Sequence, residues 1–287
     1  MRIPRFWAAA EGSGPGPHGE LRFRRAWGWS MSSLADAGAV AQEQLRNALA
    51  SLRTGVRVGG YYPRVPLREP ILHELMVTEE QALVVTRNRY GAEVLNTDRI
   101  LIADIDLPEL ERKRGGVLRR LFRRSTPEPE DEGEPAPVVE RLAVLAEWAR
   151  VHPGLGVLVY RTASGLRVLV TGLVAPVSAE GGQVLAELGA DPIYRELCRT
   201  HGTYRARLTP KPWRLPKVRA PLGRWPFQSA GVERRFQRWL AAYDEAARGY
   251  AVCRRLAVHG TAPSTLEAQI IQLHDDRTRT QTALPLA

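Results

Sequence analysis

Two carboxylates, Asp104 and Asp106, stand two residues apart at the end of the apolar run Ile100-Leu101-Ile102-Ala103. On a strand, residues at i and i+2 point to the same face, so both acids can converge on one point. Paired carboxylates repel each other, and a divalent cation is the usual compensation. Such a pair suits a metal that clamps phosphate oxygens during group transfer. The plainer account of the same residues is two exposed acids at a strand exit, with Pro108 ending the strand.

Two basic constellations follow. Ser164-Gly165 predicts a tight hairpin between apolar strands, its hydroxyl and backbone amides open to an anion. Arg161 and Arg167 flank it as phosphate forks, or simply as cations on an exposed hairpin face. Further on, Arg205 and Arg207 share one face of a short strand, with Lys211, Trp213 and Arg214 just beyond. Interleaved cations and aromatics are what a triphosphate, or a nucleic acid strand with stackable bases, requires. Other chemistries lack their signatures. The six histidines show no HExxH spacing, and neither a GxxxxGK[ST] loop nor a GxSxG elbow occurs.

The elements that must position these groups read as a mixture. Strands are expected near 2–9 and 20–29 with a Gly/Pro turn between them, then a helix from Ser32 or Ser33 to about Arg53. Ala82–Thr86, Ala92–Asn96 and Ile100–Asp106 predict an antiparallel meander. A helix from Val138 to Val151, strands 155–162 and 165–173, two short helices and a basic strand at Tyr204–Leu208 follow. A long helix is expected from about Val232 to Val258. The expected fold is therefore α+β, a mixed and largely antiparallel sheet flanked by helices. Residues 1–226 are expected to form one domain, with 227–262 a C-terminal helix packed on it and 263–287 a flexible tail. The stretch 110–136 holds a basic block and then an acidic, Pro-rich block, which predicts an exposed insertion.

The chain of 287 residues carries 41 Lys and Arg against 31 Asp and Glu, a net charge of +10. That surplus favours polyanions, although an Arg-rich coding bias produces the same count. Two cysteines argue against a disulfide framework, and no apolar run is long enough to span a bilayer, so a cytoplasmic, membrane-free protein is expected.

The order of the pieces (acidic pair on a strand, Ser-Gly hairpin entering an apolar strand, a later acid, then a basic strand) resembles the catalytic core of the archaeo-eukaryotic primase superfamily. It is nearest to the bacterial primase-polymerases and the polymerase domain of end-joining ligases. The resemblance covers roughly residues 82–226. It implies that Asp104 and Asp106 bind Mg²⁺ or Mn²⁺, with Asp191 as the third acid. It also implies that Ser164, Gly165 and Arg167 hold the incoming nucleotide's phosphates, and that Arg205 and Arg207 form the basic strand. The implied activity is metal-dependent nucleotidyl transfer on DNA or RNA from nucleoside triphosphates. Where that family usually has a His after the hairpin, this chain has Arg167, and Asp191 precedes a proline at a helix start. Two other readings remain open: a non-catalytic nucleic-acid-binding accessory protein, and a phosphatase using an Asp nucleophile.

Overall fold

The computed structural model describes residues 1–54, 66–108, 110, 133–221 and 223–287. It is an α+β fold with three antiparallel sheets and six α-helices among the described residues. The chain opens with a hairpin of β1 (Phe6–Pro15) and β2 (Leu21–Ser30), followed by α1 (Leu34–Thr54). Gly12, Ser13 and Gly14, expected in the turn, instead pair with Arg24, Phe23 and Arg22. Helix α1 lies directly on the hairpin. A Cβ on Gly28 would stand 2.1 Å from the Ala37 carbonyl oxygen, so only glycine admits that approach. Ala10, Ala26, Ala41 and Leu45 form a small core between them, apart from the main one.

Strands β3 (Ile71–Val77), β4 (Glu80–Arg87), β5 (Glu93–Thr97), β6 (Leu101–Asp106), β7 (Gly156–Thr162), β8 (Gly165–Thr171), β9 (Tyr204–Arg207) and β10 (Cys253–Gly260) form two four-stranded sheets. Their orders are β3-β4-β5-β9 and β10-β7-β8-β6. The expected meander is therefore broken after its second strand. Strand β9 takes the edge of β5, and β6 crosses to pair with β8 in the other sheet. Helices α2 (Ala136–Val151), α3 (Ala179–Glu187) and α4 (Pro192–His201) cover the second sheet and its junction with the first. Leu101, Ile102, Val159, Leu169, Leu145 and Leu185 lie in the shared core.

Two side chains tie the sheets together. Tyr194 of α4 directs its hydroxyl to the carbonyls of Ile102 (2.9 Å) on β6 and Arg205 (3.3 Å) on β9. Arg167 of β8 donates to the Arg207 carbonyl of β9 at 2.9 Å. Either bond joins one sheet to the other at the place where the acids and the basic strand meet.

The C-terminal third departs from expectation. Helix α5 spans Ala230–Ala247, and the chain then turns and enters β10, which pairs with β7. The stretch expected to be a flexible tail contains α6 (Thr265–Thr278), opened by a capping box between Ser264 and Glu267. Its residues Ile270, Ile271, His274, Asp275 and Thr278 are buried. Most of the charged 110–136 stretch lies outside the described residues. No helix among those described is long and apolar enough to cross a membrane.

Candidate polyanion site at the junction of the two sheets

Strand register sets the geometry of the acidic pair. Asp104 stands directly opposite Arg167, and Asp106 opposite Gly165, on the neighbouring strand. Opposed residues of an antiparallel pair project to the same face, so Arg167 meets Asp104 side by side. Its Nε donates to Oδ1 at 2.8 Å and a terminal nitrogen to Oδ2 at 3.2 Å, a bidentate fork. The Arg167 side chain is 1 % exposed. With the bonds to the Arg207 carbonyl and to His274 Nε2 (3.3 Å), four of its five N–H donors are used. Burial alone would raise the Asp104 carboxyl pKa, but the Arg167 guanidinium outweighs it and holds the group below its usual range. The expected exposed arginine is thus a buried structural cation.

Gly165 has a packing reason as well as a turn reason. A Cβ there would stand 2.0 Å from the Ile105 carbonyl oxygen, so any side chain would push β6 and β8 apart. Arg161 is held within the protein, donating to the Gly165 carbonyl at 2.9 Å and pairing with Glu134 at 3.3 Å. Arg205 is similarly engaged, one terminal nitrogen donating to both carboxylate oxygens of Glu69 at 2.9 and 2.8 Å. Asp191 caps α4, accepting from the Tyr194 amide at 2.9 Å; it is exposed and does not line the cavity that holds the other two acids.

What does converge is a cavity of about 50 Å³, lined by Asp104, Asp106, Ser164, Arg167, Arg207, Lys211 and Arg214. Arg214 donates to the Ser164 hydroxyl at 3.0 Å. Arg207 also lines a larger cleft of about 820 Å³ between residues 67–72, residues 87–90, β9 and α5. That cleft carries Arg68, Arg89 and Arg224 together with Tyr90, Trp225 and Phe236. Arg207 is half-buried, and among the described residues its guanidinium makes no hydrogen bond or ion pair. Desolvation pushes its pKa down despite the nearby acids.

In this arrangement Arg167 already neutralises the acid that a two-metal centre would use. Both Asp104 oxygens are engaged by Arg167, and four cations face the two carboxylates of the cavity. Asp191 is committed to its helix cap, and no cluster of three or more potential ligands occurs among the described residues. The same fork occupies the oxygens that an aspartyl nucleophile would use.

Sequence reasoning passed over His274, placed near a supposed solvated end. The imidazole is fully buried behind Arg167. Arg167 can only donate, so Nε2 accepts from it and the Nδ1–H donates to Asp275 Oδ1 at 2.9 Å. Tyr160 packs against the ring edge, and Asp275 reaches Arg255 at 3.3 Å. Arg255, Tyr160, Arg167 and Asp104 are cross-strand partners in one row over β10, β7, β8 and β6, and α6 lies over that row. Only the HDD triplet in the sequence hinted at it.

Burial lowers the His274 pKa, so the native ring stays neutral where an unfolded imidazole takes a proton, near about 6.5. The unfolded state then binds more protons, and stability is lost as pH falls through that value. We expect the urea midpoint to drop from pH 7.5 to pH 5.5, and His274→Gln, which keeps one donor and one acceptor, to flatten that slope. Equal slopes for the two proteins would show that His274 is not the titrating group.

Comparison with family models, with curated proteins and with solved structures gave no match for this chain.

Proposed function

We propose that this protein binds nucleic acid through its phosphates, without turnover, at the point where the cavity and the cleft share Arg207. The observation that carries this reading is the state of that residue. A guanidinium with no hydrogen bond or ion pair among the described residues keeps its donors open to a ligand, and a phosphate takes them in bidentate form. Lys211 and Arg214 add charge on one side, Arg68, Arg89 and Arg224 on the other. The run exceeds what one phosphate needs and suits a backbone, in keeping with the net charge of +10.

The test is a titration of labelled DNA and RNA oligonucleotides against rising salt, with and without EDTA. Log K falling linearly with log salt, and indifferent to EDTA, is the expected result. Binding that is absent at low salt sinks the reading.

Nucleotidyl transfer is the second reading, favoured by one observation: Asp104 and Asp106 project from one face of β6 into the cavity that also holds Ser164. It requires Mg²⁺- or Mn²⁺-dependent primer extension that Asp106→Asn abolishes. Extension with that dependence would replace the binding reading.

A further inference from the structure

We infer that the ligand is single-stranded, with an unpaired base stacked on Trp213 beside the phosphate grip. This rests on the phosphate-binding reading and adds what that reading leaves open, the form of the nucleic acid. Seven tryptophans are present, and Trp213 alone is classed as exposed, at 55 %. Its neighbours indicate what could stack there, beginning with Lys211, whose Nζ stands 5.8 Å over the ring. Trp213 lies in a single 3₁₀ turn, Pro212–Arg214. The residue after it, Arg214, reaches the Ser164 hydroxyl inside the acidic cavity, and Lys211 on the other side lines that cavity too. Tyr90, which lines the large cleft, braces the indole in a T-shaped contact with centroids 5.3 Å apart. The ring is therefore flanked by residues of both the cavity and the cleft.

The platform is also fixed. Pro210 and Pro212 restrict the backbone on both sides of Lys211. The hydroxyl of fully buried Tyr243 donates to the Pro210 carbonyl at 2.7 Å. A stacking surface held this way loses little freedom on binding. A duplex keeps its bases stacked inside, so the ring would gain nothing from it, whereas every unpaired base offers a π-face.

The experiment compares three labelled ligands of equal length: a single strand, the same strand as a duplex, and an abasic deoxyribose-phosphate strand. Stacking is worth roughly five- to hundredfold per base. The wild type should prefer the single strand to the abasic strand by at least about fivefold. Trp213→Ala should erase that preference by lowering single-strand affinity to the abasic level, leaving abasic binding and the salt slope unchanged. Trp213→Phe should retain most of it. Equal wild-type affinity for the single strand and either other ligand overturns the inference, as does a Trp213→Ala variant that weakens single and abasic strands alike. Phosphate binding survives each of those results; a wild type that binds none of the three ends both readings.

Discussion

Arg207→Ala is expected to weaken oligonucleotide binding by about 1–3 kcal/mol, roughly five- to hundredfold, and to reduce the salt slope by about one. The size follows from the position, since Arg207 is the cation common to cavity and cleft and has no protein partner among the described residues to lose. For the same reason the fold should not suffer. No hydrogen bond or ion pair among the described residues is broken, and the desolvation relieved opposes the attraction to Asp104 and Asp106 that is lost, so the urea midpoint should change little. Arg205→Ala makes the control. That side chain is ion-paired to Glu69, so its loss should cost stability more than affinity. A variant at 207 that binds as tightly as wild type would move the phosphate site elsewhere.

Arg167→Ala should behave in the opposite way, costing about 3 kcal/mol of folding stability. Breaking a buried charged pair by removing one partner typically costs about 3–5 kcal/mol, because the other charge is left behind. Here the lower figure applies, because Asp104 is 36 % exposed and water recovers part of its solvation. The substitution also strips donors from the Arg207 carbonyl and from His274 Nε2, and so removes a tie between the two sheets. Arg167→Lys restores one charge but not the planar fork, and should recover less than half of the loss. Denaturant melts of these two variants and of Asp104→Asn, with the double mutant, isolate the pair's coupling. A loss below about 1 kcal/mol for Arg167→Ala would show that the fork is not structural.

The local chemistry of this fold was easier to read than its long-range pairing. The hairpin at Ser164-Gly165, the shared face of Asp104 and Asp106, and the strands around them follow from alternation and turn residues. What alternation cannot state is the partner strand. Asp104 was legible as an acid on a strand face, but the guanidinium opposite it depends on β6 leaving the meander for β8. A carboxylate awaiting a metal and one already neutralised look identical until the register is known.

The tail failed for a different reason. Helix α6 buries His274, Asp275 and Thr278 as well as Ile270 and Ile271, so its inward face reads as polar although it is enclosed. Hydrophobic periodicity detects faces buried against apolar neighbours, and this one is buried against Arg167, Tyr160 and Arg255. Helix α5 was overextended because Arg248–Cys253 carries no strong breaker except Gly249; the open edge of β7 makes that stretch lead into β10.

The distance along the chain between Arg167 and His274, 107 residues, has a consequence for how the molecule is made. The β6–β8 fork can close once residue 167 has left the ribosome. The imidazole that takes up another of the guanidinium's donors arrives only with the last helix. Contacts so far apart in sequence form slowly, since a long loop must close before they return anything. During synthesis the site thus passes through a stage in which β7 has an open edge and the Tyr160-Arg167-Asp104 row lacks both its β10 neighbour and its cover. A nascent chain halted before residue 253, and so lacking β10, should be the form most prone to edge-to-edge association.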